Sequence, residues 1–121
     1  MNMTDLCEFE PSQYTSAPQQ TEGWIDFRSS PEKVFARAAD HAAMEDWIPL
    51  VQGITVTHPG LVAPGASMIG TARHITMKGG LAIIETVVYW NPPHCYAFKA
   101  EGKFLPLKNY VGLFAVLPMG A

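Results

Sequence analysis

Apolar and polar positions along the chain change their period once. Val34, Phe35, Ala38, Ala39 and Ala42 recur at spacings of three and four and predict a helical apolar face. Ser30 followed by Pro31 marks its start, because a serine oxygen can accept a first-turn amide and proline fits the first helical position. Asp40 divides the pattern into two short helices reaching about Met44. Trp47-Ile48-Pro49 ends them, since the residue before a proline is pushed out of the helical region. Segments 24–28, 54–58, 68–77, 81–90, 95–101 and 109–117 are rich in β-branched and aromatic residues and are separated by Pro and Gly clusters. Strand, helix pair and strand meander, joined by short connections, predict an α+β domain with helices at one end of a curved antiparallel sheet.

Turn length predicts which side chains meet. With Lys78-Gly79-Gly80 as a three-residue turn, Met77 faces Leu81, Ile75 faces Ile83 and Arg73 faces Glu85. With 91–94 closing the next hairpin, Trp90 faces Cys95, Tyr89 faces Tyr96, Val87 faces Phe98 and Glu85 faces Ala100. Lys99 and Glu101 belong in solvent, so alternation turns Tyr96, Phe98 and Ala100 inward with Tyr89, Val87, Glu85, Arg73, Ile75 and Met77. Ile84, Val88 and Trp90 then form an apolar stripe facing outward, while Tyr110 and Phe114 are assigned to neither face. An inward Arg73–Glu85 pair reads in two ways: as the polar floor of an apolar cavity, or as a solvated cross-strand ion pair worth about 0.2–1 kcal/mol.

Composition narrows the function. Eight Lys and Arg against eleven Asp and Glu give a net charge of −3, without the basic cluster that nucleic acid or an anionic membrane surface requires. Residues 1–22 hold four of the acids and no base and read as a polar, flexible leader, leaving 23–121 as one nearly neutral domain. The longest apolar run, 81–90, is interrupted by Glu85 and falls far short of the roughly 20 residues that span a bilayer. With no signal peptide at the N-terminus, the expected location is cytoplasmic, and Cys7 and Cys95 are expected as free thiols. His41, His58, His74 and His94 lie sixteen or more residues apart, without metal-ligand spacing, and read as surface or hairpin residues; no metal or cofactor is expected. Gly65 to Gly70 lacks the lysine of a phosphate loop, and no nucleophile motif occurs.

The segments WIDFRSSPEKVFA (24–36), DWIP (46–49), GTARHI (70–75) and GGLAIIETVVYWNPP (79–93) resemble the SRPBCC superfamily of polyketide cyclases/dehydrases and lipid-transport proteins. The resemblance covers about residues 23–121. It implies the START-like helix-grip fold, in which a curved antiparallel sheet wraps a long C-terminal helix around an apolar cavity. The family pattern continues into a last strand and that helix, whereas this sequence stops at Ala121, so the grip helix is expected to be missing. Open edges and an exposed inner face then favour a homo-oligomer. The expected function is binding of a small hydrophobic ligand, with Arg73 and Glu85 as orienting polar groups. Ile75, Met77, Val87, Tyr89, Tyr96, Phe98 and Tyr110 are the expected lining, and Trp47 caps the mouth or anchors the helices. The alternative is a cyclase or dehydratase in which Glu85 acts as acid or base and Arg73 polarises a carbonyl. A third reading is a degenerate interaction module whose open sheet docks on another chain.

Overall fold

The computed structural model describes residues 7–18, 22–46, 48–58, 67–102 and 109–118; Trp47, the expected cavity-mouth residue, lies outside them. Helix α1 (Pro31–Ala38) begins at Ser30, whose hydroxyl accepts the Lys33 amide at 3.3 Å, and its apolar stripe buries Phe35 and Ala38. A 3-10 helix, His41–Asp46, follows directly.

Five antiparallel strands then form a meander in which chain neighbours are sheet neighbours: β1 (Val51–Thr57), β2 (Ala72–Met77), β3 (Ala82–Asn91), β4 (Cys95–Glu101) and β5 (Tyr110–Ala115). Between β2 and β3, Gly79 and Gly80 take φ of 92° and 87°, which only glycine adopts without strain. The Met77 amide donates to the Leu81 carbonyl at 2.8 Å. This three-residue turn puts Ile75 opposite Ile83 and Arg73 opposite Glu85, the pairing read from the sequence.

Two strand expectations need correction. β2 starts at Ala72, because Met68 to Thr71 is a turn closed by the Thr71 amide on the Met68 carbonyl at 2.9 Å. Residues 24–28 form no strand; they run outside the sheet, with Trp24, Ile25 and Phe27 82%, 77% and 58% exposed. An extended segment becomes a strand only where an edge pairs its amides and carbonyls, and β1 and β5, the two edges of the described sheet, have only β2 and β4 as partners.

The second hairpin brings a larger correction. Asn91, not Trp90, stands opposite Cys95, and an extra residue, Val88, bulges out so that Val87 still meets Phe98. Tyr89 and Trp90 therefore exchange faces. Trp90 turns inward against Phe35 (ring centroids 5.4 Å apart) and Tyr96 (5.9 Å), which removes it from the expected outward stripe. Tyr89 turns outward onto Phe9, 5.5 Å away. The two residues without an assigned face both lie inward, Phe114 at 5.8 Å from the Tyr96 ring and Tyr110 at 6.3 Å from that of Phe98. The inner core is Phe35, Tyr96 and Val116, with Val34, Ala39, Trp90, Phe98 and Phe114 around them.

Residues 7–18 strap the opposite face of the sheet. Cys7 is disulfide-bonded to Cys95, which corrects the expectation of free thiols. Phe9 stacks between Tyr14 and Tyr89, and the Thr15 hydroxyl donates to the Asn109 carbonyl at 2.6 Å. Cys95 and Ala97 alternate with inward Tyr96 on β4, so the strap covers the first two while the inner core covers Tyr96, and all three are almost fully buried. The pairing is hidden in the sequence because 88 positions separate the two cysteines.

One glycine makes room for Phe98 on the inner face. Gly112 of β5 lies opposite Phe98 of β4, and a Cβ there would run into Phe98 Cζ and come within 2.9 Å of both Cε atoms. Phe98 uses that space to lie flat across the neighbouring strand. Gly112→Ala is expected to push the ring away at a cost of about 1–3 kcal/mol, read from thermal melts, and Phe98→Leu in the same chain should recover part of the loss.

Candidate functional site

Arg73, in β2, is 0% exposed. Its Nη2 lies 2.9 Å from Glu85 Oε1 on β3, and its Nη1 donates to the Tyr96 hydroxyl on β4 at 3.2 Å and to His41 Nδ1 at 3.3 Å. The guanidinium lies over the rings of Phe98 and Tyr96, 4.8 and 5.6 Å from their centroids. The Tyr96 hydroxyl donates its own proton to the Ala38 carbonyl at 3.1 Å, satisfying an acceptor that the end of α1 leaves without an intrahelical partner. Three strands, the end of the helix and the 3-10 segment thus converge on one buried cation.

Geometry sets the state of His41. A guanidinium has only donors, so Nδ1 must present its lone pair to Arg73, and the ring proton sits on Nε2. Nε2 is buried and has no hydrogen-bond partner among the described residues. Burial first, then the charge of Arg73 and that of His58, push the pKa of His41 down to about 4, against a smaller upward pull from Asp40. Glu85 shifts the other way: burial raises its pKa above the ordinary carboxylate value, and Arg73 opposes that rise through charge and hydrogen bonding.

Acid should therefore weaken the fold through His41. Between pH 6.5 and about 4 the unfolded chain takes up a proton on His41 that the folded chain refuses, so His41 removes about 3 kcal/mol of stability as pH falls through that window. Glu85 offsets part of this loss, since a carboxyl with a raised folded pKa gains stability on acidification. Urea midpoints measured from pH 7.5 to 4 should fall for the wild type. In His41→Phe, whatever its absolute stability, the slope should flatten or reverse.

The structure brings Arg73, Glu85, Val87, Tyr96 and Phe98 together as the sequence suggested, with Ile75 and Met77 following Arg73 on the same side of β2 and Tyr110 beside Phe98. Tyr89 is on the other face. His41, read from the sequence as a surface or hairpin residue, belongs to the centre of the network and is 5% exposed. A signal was available: His41 continues the three- and four-residue spacing of Val34 and Ala38 past Asp40.

Other features lie elsewhere. An open depression of about 240 Å³, lined by Glu10, Pro11, Ser12, Thr15, Ser16 and Ala17, belongs to the strap. Among the described residues no three His, Cys, Asp or Glu side chains gather as metal ligands, and no helix is long and apolar enough to cross a membrane.

An open antiparallel sheet with a helix against its inner face and a polar network buried beneath aromatic rings defines an α+β protein of helix-grip-like architecture. A family model described as polyketide cyclase / dehydrase and lipid transport matches residues 18–121, and the chain belongs to that family. Comparison with curated proteins and with solved structures returned no match.

Proposed function

We propose that the protein binds a small hydrophobic molecule of lipid, polyketide or aromatic type against the inner face of the sheet, with the Arg73–Glu85 pair as its polar reference point. The observation that carries this reading is the burial of that pair among aromatic rings: Arg73 is sealed and the Glu85 side chain is 15% exposed. A buried ion pair contributes little net stability compared with apolar packing, so its presence on a face built of Phe98, Tyr96, Val87 and Ile75 is better explained by a ligand that needs a polar contact. Family membership supports the same class of ligand. Titration with hydrophobic ligands, followed by amide chemical shifts, should perturb Ile75, Val87 and Phe98. Shifts confined to residues 7–18, or no shifts with any ligand, would sink the proposal.

A second reading, a cyclase or dehydratase acting on a polyketide, is favoured by the raised pKa of Glu85, which brings the carboxyl closer to neutral pH as a general acid or base. Glu85, whose side chain keeps 15% exposure, would meet the substrate, and the sealed Arg73 would act on it through the ion pair. Unchanged turnover in Glu85→Gln would end this reading while leaving binding intact.

A further inference from the structure

We propose that His41 selects the ligand's oxygen: its Nε2–H donates to a carbonyl, enol or phenol oxygen on the hydrophobic ligand, making His41 the specificity-determining residue of the inner face. This rests on the binding role proposed above and names the ligand chemistry that role implies.

Among the described residues, the imidazole brings to this network a buried ring donor that none of the network's other groups accepts. The Tyr96 hydroxyl both accepts, from Arg73, and donates, to Ala38. Arg73 is held by Glu85, Tyr96 and His41 and covered by Phe98. His41 spends its lone pair on Arg73, which leaves Nε2–H as a buried donor with no partner among the described residues. A buried donor without an acceptor is costly, so a ligand that supplies one is favoured over a ligand of the same shape that does not.

The surroundings define what can supply that acceptor. The imidazole lies 6.3 Å from the Trp90 ring and 5.8 Å from the Tyr96 ring, centroid to centroid. This aromatic surround offers few partners to a lone water, which needs two to four polar contacts, and favours an apolar body that carries one oxygen over a free water. A cationic ligand group is disfavoured, because the Arg73 guanidinium already stands against the other ring nitrogen. His58 and Asp40 are the other charged or titratable groups acting on this ring, and their influences oppose each other.

The test uses two probes of one shape, 2-acetylnaphthalene and 2-isopropenylnaphthalene, which differ in C=O against C=CH₂. The wild type is expected to bind the ketone roughly tenfold more tightly. His41→Phe should bind both equally, whereas His41→Gln, which restores a side-chain N–H donor, should keep the preference. Glutamine also offers Arg73 an amide oxygen and phenylalanine does not, so the comparison is made on the ketone-to-alkene affinity ratio within each variant, where a changed contact to Arg73 affects both probes alike. Equal wild-type affinities for the two probes overturn the role of His41 while leaving the hydrophobic binding surface standing. Failure of both probes to bind the wild type overturns that surface and the role of His41 together. Should the variants not fold, ¹⁵N shifts of the wild-type imidazole decide independently: a proton on Nε2 is required, and a proton on Nδ1 refutes the proposal.

Discussion

Arg73→Ala is expected to cost about 3–5 kcal/mol at neutral pH, a large share of the roughly 5–15 kcal/mol that holds a domain together. Three losses coincide. Glu85 keeps a carboxylate that is only 15% exposed and loses its counter-ion. The Tyr96 hydroxyl and His41 Nδ1 lose their donor, and the Phe98 and Tyr96 rings lose the cation they face. The pH dependence identifies the cause. Without Arg73 only burial acts on Glu85, so its pKa rises further, and the deficit should shrink as the solution is acidified and the carboxyl is neutralised. Removing Arg73 also lifts one of the downward influences on His41. The double variant Arg73→Met/Glu85→Met, which replaces the pair with side chains of similar length, should recover most of the loss. Urea denaturation of the two single variants and the double at pH 7.5 and 5 measures this coupling. A single Arg73→Ala loss below about 1 kcal/mol would place the pair in the solvated class read as the plainer alternative from the sequence.

Loss of the Cys7–Cys95 bond should lower the melting temperature by roughly 10–20 °C, the equivalent of about 2–5 kcal/mol. With 88 positions between the cysteines, chain entropy alone puts the cross-link near the upper end of that range, at about 4–5 kcal/mol. Its local effect is also large, because the bond pins residues 7–18 over Cys95 and Ala97, both 0% exposed. The variant Cys7→Ala/Cys95→Ala and the wild type in excess dithiol should melt at similar temperatures. Cleavage by a protease in the strap should then become faster, since Phe9 against Tyr89 and Thr15 against Asn109 remain as weaker attachments. Identical melts with and without the dithiol would show that the bond does not hold the strap.

Both predictions bear on function through Phe98 and Tyr96. These rings cover Arg73 on one side of β4, and Cys95 and Ala97 carry the strap on the other. A ligand at the inner face therefore rests on a strand whose opposite side is cross-linked.

Features that depend on neighbours in the chain are legible in the sequence. Ser30-Pro31 starts α1, and Lys78-Gly79-Gly80 sets the β2–β3 register, because a cap and a tight turn are satisfied within a few residues. Arg73 opposite Glu85 follows from that turn by counting in steps of two, so the central pair of the site can be read from residue order alone. Counting fails wherever an extra residue enters, and the bulge at Val88 reverses Tyr89 and Trp90 while leaving Val87 opposite Phe98. Other features come from contacts between distant segments. Residues 24–28 have the composition of a strand, yet edge pairing depends on where the rest of the sheet ends. His41 becomes part of the site through Arg73, 32 positions away, and Cys7 becomes a cross-link through Cys95, 88 positions away. Contacts at such separations leave no periodicity to read, because folding of the whole chain, not local propensity, brings the partners within reach.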